Sequence, residues 1–269
     1  MLLKHARQPI DGQPIGNTFE AIDEKTGLLL ANCTIYAHEN PVQFPHRPLR
    51  ICLRFDGSPI PDILLGGAIA RAKGIAYERR LPGRIYAEVF PEDDQLMEML
   101  QLQGFADNDG LIRMVRPLED ESAPELPARC VIVVDKLDDP IEQKYFLERY
   151  NQIHNTNYKF DWLQVYCNKQ GFKRILIVSP KGMVGECVIW NDGEQGLIDW
   201  LFVAKRWRGN GVSAILMDAA CSEFANDGKV YAAVNVHARM PRMLRIIESA
   251  GFHQSEVIWR YPGVDVDPE

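Results

Sequence analysis

The chain has 269 residues, of which 46% are apolar and 25% are charged, and its formal net charge is −7. This composition is typical of a globular protein with one large domain or two modest domains. The negative charge argues against a general nucleic-acid-binding role, and no apolar run approaches the roughly 18 residues of a membrane-spanning helix. The six cysteines are dispersed without a C-x-x-C pair, so we expect reduced thiols, no metal site and a cytoplasmic location.

The first half contains a segment that we predict as a buried strand, from Gly83 to Val89. It is followed by a short helical segment, by the pair Gly104-Phe105 and by a strand that contains Arg113. A glycine directly after a helical segment is a common helix end. The order strand, helix, Gly-Phe and strand is therefore expected here.

A linker is predicted between the two halves. The stretch from Arg116 to Arg129 has three prolines, four acidic residues and little apolar content, which is typical of a connecting segment. We therefore expect a first domain at residues 1–120, a linker at 121–129 and a second domain at 130–269.

The second half begins with two predicted helices. The first starts at Asp139-Pro140-x-Glu142, a capping pattern with proline at the first helical position, and runs to about Asn151. The second runs from Asp161 to Asn168. Three apolar segments then predict the strands of a meander: Arg174 to Val178, Val184 to Trp190, and Gly196 to Val203.

The segment from Val203 to Leu216 is the most informative part of the chain. It reads V-A-K-R-W-R-G-N-G-V-S-A-I-L, so a strand leads into a glycine loop and then into a helix. Such a junction collects unpaired N–H groups at the positive end of a helix dipole, and glycines let a phosphate approach the main chain. The loop has neither a Walker Gly-Lys-Ser/Thr nor a G-x-G-x-x-G dinucleotide motif. It predicts a phosphate site of another kind.

The elements after the loop repeat the order seen in the first half. We predict a helix from Val212 to Asn226, a buried strand from Lys229 to Val236, a helix from Pro241 to Ser249, the pair Gly251-Phe252 and a last strand from Glu256 to Tyr261. An internal repeat of this kind indicates a duplicated architecture.

The loop sequence resembles the pyrophosphate loop of the GNAT acyltransferase superfamily. The matching residues are Arg208-x-x-Gly211-x-Ser213. The frame Arg206-x-x-Gly209-x-Gly211 also fits, and we prefer the first because Val203 then lies where the family's strand ends. The element order over residues 131–262 is the core order of this family. The chain therefore resembles the tandem GNAT proteins, and the expected fold class is α/β (α+β), with two modules that each have a mixed central sheet flanked by helices.

The first module has a degenerate loop under this alignment. Opposite Arg208 to Ser213 it has the segment Ile63 to Ala68, with Pro59, Pro61 and Asp62 just upstream. Prolines lack N–H donors, and an aspartate repels phosphate. We therefore expect structural support, or a wall of the acceptor pocket, from this half.

The resemblance implies transfer of an acyl group, usually acetyl, from acyl-CoA to an amine. It places the pantetheine against Phe202, Val203 and Ala204, where a main-chain N–H can support the developing oxyanion. It assigns the pyrophosphate contacts to Arg208, Gly209, Asn210, Gly211, Val212 and Ser213. The two helices before the meander would border the acceptor.

Asp199 is the candidate general base, because members of the family often have their general base on the strand before the loop. The flanking residues are apolar, so partial burial is expected to raise its pKa towards a useful value. The alternative is an aspartate that faces solvent or a structural partner.

The chain differs from the family at the position of the general acid. Many members have a tyrosine four residues before the Gly-Phe glycine and an asparagine at the start of the same helix, where this chain has Ile247 and Met240. His237 and Tyr261 are the remaining candidates, although a CoA thiolate is a good leaving group that needs no protein acid.

These observations predict an N-acetyltransferase that moves an acetyl group from acetyl-CoA to a primary amine of a small molecule or peptide. The acceptor is unidentified, no nucleic acid or membrane partner is expected, and the oligomeric state is open. The alternative is a non-catalytic CoA-binding sensor or interaction module, which the missing tyrosine and the degenerate first loop favour. An assay for turnover distinguishes the acetyltransferase from the non-catalytic protein.

Overall fold

The computed structural model describes residues 1–10, 12–119 and 123–268. Contacts between Cα atoms divide the chain into two compact units: the first is Met1–Gly110 with Ile258–Glu269, and the second is Leu111–Val257. Of the helices in the described ranges, none combines the length and the apolar character that a membrane span requires.

The first unit is built on a six-stranded sheet. The elements of the first half, in chain order, are β1 Leu2–His5, β2 Thr18–Ile22, β3 Leu29–Glu39, β4 Leu49–Asp56, α1 Asp62–Arg79, β5 Gly83–Ala87, α2 Asp94–Leu102 and β6 Gly110–Pro117. The C-terminal strand β13, Gly263–Val266, completes this sheet, whose order is β1-β2-β3-β4-β5-β13. Strands β4 and β5 are parallel and are joined by α1, whereas the other neighbours are antiparallel.

The second unit is built on a seven-stranded sheet. Its elements in chain order are β7 Val131–Asp135, α3 Pro140–His154, α4 Phe160–Cys167, β8 Lys173–Ser179, β9 Gly182–Asp192, β10 Gln195–Val203, α5 Val212–Asn226, β11 Tyr231–His237, α6 Pro241–Ser249 and β12 His253–Arg260. The sheet order is β12-β6-β11-β10-β9-β8-β7. Strands β10 and β11 are parallel and are joined by α5, so both units have the expected mixed sheet with flanking helices.

Each half of the sequence contributes one strand to the other half's sheet. Strand β6 pairs with β11, with Asn235 opposite Arg113, and strand β13 pairs with β5, with Val264 opposite Ile85. The division of the chain therefore differs from the sequence-based boundaries of 1–120 and 130–269, because these two strands pair with partners far away in sequence. Residues 120–122, which include the start of the predicted linker at 121–129, lie outside the described residues.

The internal repeat is visible in the backbone. Gly104 follows α2 with φ of +83°, and Gly251 follows α6 with φ of +84°. The next residue buries its ring in both cases, since Phe105 is 2% and Phe252 is 3% exposed. The left-handed conformation favours glycine at both positions, which explains why the Gly-Phe pair occurs twice.

Helix α5 packs on the second sheet through Phe224, which is fully buried. The ring occupies the space above Gly196 of β10, where an added Cβ would overlap it. Glycine at position 196 is thus explained by close packing of helix on sheet.

Replacement of Phe224 by alanine will destabilise the protein by about 3–5 kcal/mol, because it leaves a cavity in a closed core. Chemical denaturation followed by fluorescence measures the free energy of unfolding. Val165→Ala on α4 is the control: this side chain is exposed, and its loss should change stability by less than about 0.5 kcal/mol. Equal effects of the two substitutions would contradict this account of the core.

Candidate active site

Strands β10 and β11 separate towards their carboxyl ends. Their pairing stops at Ile198 opposite Val234, although β10 continues to Val203. The register of β10 against β9 also shifts between Ile198 and Trp200, so Asp199 is the extra residue of a bulge. A bulge bends its strand and changes the direction of a side chain. The result is an opening between two parallel strands at the end where ligands bind in such sheets.

The loop after β10 has the geometry of an anion site. Lys205–Trp207 form a single 3₁₀ turn, and Gly211 then caps α5 with φ of +74°, while Gly209 has φ of +85°. Both values lie in the left-handed region, which glycine adopts without strain. Val212 and Ser213 open the helix, where N–H groups have no partner within the helix.

The space above this loop is open. An added Cβ at Gly209 or Gly211 would meet no atom within 4 Å, and the first turn of α5 contains no acidic residue. Arg208 Nε donates to the Val203 carbonyl at 3.1 Å, and Asn210 Nδ2 lies 3.4 Å from the Trp207 carbonyl. The residues from Arg208 to Ser213 therefore lie together at the positive end of α5, in an arrangement that fits a pyrophosphate.

The strand residues predicted to meet the pantetheine lie at the separated end of β10. Phe202 and Val203 have no paired residue on the β11 side, so this edge of the strand is open to a ligand. Ala204 differs, because its N–H donates to the Val184 carbonyl at 2.9 Å. The amide of Ala204 is thus occupied, and its expected contribution reduces to its side chain and carbonyl.

Asp199 lies against Tyr166 of α4. The Tyr166 hydroxyl donates to Asp199 Oδ2 at 2.7 Å, while the aspartate keeps access to solvent. The surrounding side chains desolvate the carboxylate, and this burial raises the pKa of Asp199, although the Tyr166 hydrogen bond and Lys169 act in the opposite direction. The direction agrees with the expectation from the apolar flanking sequence.

An aromatic cluster lies beside this carboxylate and contacts it through the Tyr166 hydroxyl. Tyr150 has its ring centroid 4.9 Å from that of Trp162 and 5.0 Å from that of Trp200. Tyr166 stacks on Trp162 at 4.8 Å. The cluster, as named below, comprises the rings of Tyr150, His154, Tyr158, Trp162, Tyr166, Trp190 and Trp200. Its rings come mainly from α3 and α4, the two helices expected to border the acceptor.

Lys169 shows that the cluster accommodates an ammonium group. Its Nζ lies 3.2 Å from the centroid of the Trp190 ring. Burial lowers the pKa of Lys169, while Asp199 and Asp192 act in the opposite direction. A cation is thus held by an aromatic face and by carboxylates in the same region.

A buried ion pair that no sequence motif predicted lies next to Trp200 of the cluster. The Glu186 side chain is fully buried on β9, and its two carboxylate oxygens accept from Arg149 Nε and Nη2 at 2.6 and 2.7 Å. Glu186 also accepts from Trp200 Nε1 at 3.3 Å. Glu186 lies in an apolar strand, G-M-V-G-E-C-V-I-W, so a charged residue at a core position was the available signal.

Arg149→Met will destabilise the protein by about 3–5 kcal/mol, because it leaves the Glu186 carboxylate buried without its cation. The double variant Arg149→Met with Glu186→Gln should recover a large part of this loss, since no uncompensated charge remains. A double-mutant cycle from denaturant unfolding measures the coupling. Additive losses would contradict the inference that the two side chains stabilise each other.

The other two predicted catalytic residues lie on other elements than Asp199. His237 ends β11, and its carbonyl accepts from the Met240 N–H at 3.0 Å. Tyr261 belongs to the first unit, where its ring packs 5.5 Å from that of Tyr86 and its N–H donates to the Asp109 carbonyl. Its sequence position, directly after β12, gave no sign of this packing. Ile247 is 2% exposed in the second core and carries no transferable proton.

The loop of the first unit differs from the sequence alignment. Ile63 to Ala68 lie inside α1, which begins at Asp62, so they do not form a loop. The connection between β4 and α1 is residues 57–61, which contain Pro59 and the cap residue Pro61. The alignment had placed Gly66 and Gly67 in a loop. Both lie inside α1, because the helix propensity of the neighbouring residues outweighs the cost of two glycines. We still expect a degenerate phosphate loop in the first unit, but it is formed by residues 57–61.

Comparisons with known proteins agree with this architecture. Residues 149–266 match the acetyltransferase (GNAT) domain family. A GCN5-related N-acetyltransferase from Sphaerobacter thermophilus is 15% identical with a TM-score of 0.57, covering 96% of this chain and 82% of that chain. A tandem GNAT protein from the clavulanic acid biosynthesis pathway is 13% identical with a TM-score of 0.54, covering 95% of this chain and 87% of that chain. No curated protein sequence matches the chain.

Fold, loop and family match together define an acyltransferase built from two similar units. Residues 149–266 therefore form an acetyltransferase (GNAT) domain, a family whose donor substrate is an acyl-CoA, and the chain shares its fold with a solved tandem GNAT protein.

Proposed function

We propose that the second unit transfers an acetyl group from acetyl-CoA to a primary amine of a small molecule or peptide. The observation that carries the proposal is the position of Asp199. Its carboxylate stands at the bulge where β10 leaves β11, among aromatic rings that also hold the Lys169 ammonium. A carboxylate beside aromatic faces favours an ammonium acceptor over a neutral or anionic one.

The acyl donor would lie along the separated end of β10. The N–H groups of Gly209, Gly211, Val212 and Ser213 would face the pyrophosphate, whereas that of Asn210 donates to the Trp207 carbonyl at 3.4 Å. Arg208 would add positive charge at the same edge. Phe202 and Val203 contact the pantetheine, and an N–H on the open side of the strand supports the thioester oxyanion. The open space above the loop glycines supports this placement.

Asp199 would act as the general base. An ammonium acceptor donates one proton to the Asp199 carboxylate, and the freed nitrogen lone pair attacks the thioester carbonyl carbon. The C–N bond forms, the C–S bond breaks, and the electron pair leaves on the CoA sulfur as a thiolate. The nitrogen then loses its second proton to the thiolate or to solvent, which leaves a neutral amide. The raised pKa of Asp199 brings the base closer to the pKa of the acceptor than an ordinary aspartate, which favours this transfer.

Protonation of the thiolate does not require a side chain in this proposal. His237, at the end of β11, and Tyr261, in the first unit, stay the candidate donors. Because the pKa of a thiol is only about 8.5, the thiolate is a stable leaving group and can depart before it takes up a proton.

A panel of amines tests the proposal. Wild-type protein is incubated with acetyl-CoA and primary amines that carry aromatic, aliphatic or peptide bodies, and free thiol release is followed with product mass. Acceptor-dependent release of CoA with formation of an N-acetyl product is expected. Binding of acetyl-CoA without turnover on any amine would favour the second candidate, a CoA-binding sensor, for which the buried Ile247 in place of a proton donor is the specific observation.

A further inference from the structure

The first unit has a cavity of its own, which the acyl-transfer proposal does not use. Its volume is about 710 Å³, within the range of roughly 300–1,000 Å³ that is usual for small-molecule sites. The cavity lies where β4 and β5 cease to pair, beyond Leu53 opposite Ala87. Residues of β3, β4, α2 and the segment after β5 line it, and those used below are Asn32, Arg54, Asp56, Glu88, Phe90 and Trp259.

The charge of this lining is negative. Arg54 is the single cation among the described lining residues, and its Nε and Nη2 both donate to Glu88 Oε2, at 3.0 and 2.9 Å. Two further lining carboxylates, Asp56 and Asp93, have no ion-pair partner among the described residues. Asp93 accepts the Leu96 N–H as the cap of α2. The cavity therefore holds more negative than positive charge.

Asp56 is the carboxylate that remains available. It accepts a single 3.3 Å hydrogen bond from Asn32 Nδ2 within the described chain and is otherwise exposed to the cavity mouth. A carboxylate has about four acceptor positions, so Asp56 can bind a donor from a ligand.

An aromatic wall completes the site. The Phe90 ring lies 4.3 Å from the Trp259 ring, centroid to centroid, and Phe90 is 60% exposed. A large aromatic side chain held open to solvent beside carboxylates is suited to the face of an organic cation.

An anionic ligand is disfavoured at the same place. The segment before α1 contains Pro59 and Pro61, which have no N–H to offer a phosphate, and Asp62 occupies the first turn of the helix. This helix N-terminus thus lacks the features that make the loop of the second unit an anion site.

We propose that this cavity binds a small organic ammonium ion with an apolar or aromatic body. The ammonium pairs with Asp56, and the body packs against Phe90 and Trp259. The site is separate from the acyl-transfer site, and its existence does not depend on whether the second unit is catalytic.

Calorimetry with three probes of similar shape tests the charge preference. The full chain is titrated with 2-phenylethylammonium chloride, with 2-phenylethanol and with 3-phenylpropionate. The ammonium is expected to bind at least about tenfold more tightly than the other two, because only its charge complements the lining. Equal affinity for the three probes, or preference for the carboxylate, would overturn the proposal.

Substitutions then locate the binding site. Asp56→Asn should weaken ammonium binding about tenfold and Phe90→Ala about fivefold, while Asp94→Asn is the matched control. Asp94 is the first residue of α2, directly after the cap residue Asp93. Its side chain is 92% exposed, and it does not line the cavity. Asp199→Asn separates this site from the acceptor site of the second unit. Binding that is lost in Asp199→Asn and kept in Asp56→Asn, or that weakens equally in Asp56→Asn and Asp94→Asn, would refute the proposal.

Discussion

Replacement of Asp199 by asparagine will lower kcat about 10²- to 10⁴-fold, because the ammonium acceptor then has no group to take its proton. The KM for acetyl-CoA should change little, since Asp199 lies on β10 and is not part of the loop that we propose binds the pyrophosphate. Steady-state kinetics with the best acceptor of the amine panel measures both constants. Glu194→Gln, which removes one exposed carboxylate from the turn between β9 and β10, is the matched control. Near wild-type turnover of Asp199→Asn would refute the assignment.

The pH profile distinguishes a base from a merely structural aspartate. The rate should rise with pH through the raised pKa of Asp199, because only the carboxylate form accepts the proton. Tyr166→Phe removes a hydrogen bond that stabilises the charged form, so the pKa of Asp199 rises further and the acidic limb moves to higher pH. A profile with the same acidic limb in wild type, Tyr166→Phe and Asp199→Asn would exclude Asp199 as the titrating group.

Local signals in the sequence predicted the elements around the loop. Helix α5 begins and ends where the apolar periodicity placed it, at Val212 and Asn226. Asp139 caps α3 as expected, accepting the N–H groups of Ile141 and Glu142. The Glu142 carboxylate instead pairs with Arg174 of β8, a tertiary contact that overrides the local capping box. Helix bounds and caps that depend on neighbouring residues could thus be predicted from the sequence.

Structural features that depend on residues far apart in the sequence could not be predicted. The exchange of β6 and β13 joins strands from opposite halves of the sequence, and nothing in a strand's own pattern identifies its neighbour. The aromatic cluster was equally hidden, because rings on α3, α4 and β10 meet only after folding. Asp199 could be proposed from the sequence because its position relative to the loop is local. The Arg149 and Glu186 pair spans 37 positions and carries no local motif.

The glycine loop offers a second decisive variant, Gly211→Glu. The substitution places a carboxylate at the positive end of α5, where the pyrophosphate is expected, and the open space around Gly211 leaves room for it. Loss of the anion site and repulsion between like charges should weaken acetyl-CoA binding at least about 100-fold. Calorimetric titration of acetyl-CoA into wild type and variant measures the change.

A control for backbone strain is needed, because Gly211 has φ of +74° and any other residue is strained there. Gly228 supplies it: its φ is +73°, an added Cβ would meet nothing within 4 Å, and it follows the opposite end of α5. Gly228→Glu imposes a similar strain and the same charge near the negative end of the helix. If it weakens acetyl-CoA binding as much as Gly211→Glu does, strain is the cause and the loop is not the binding site. If only Gly211→Glu weakens binding, acetyl-CoA binds at the start of α5. The two variants have similar backbone strain and the same net charge, so only the position of the new carboxylate differs.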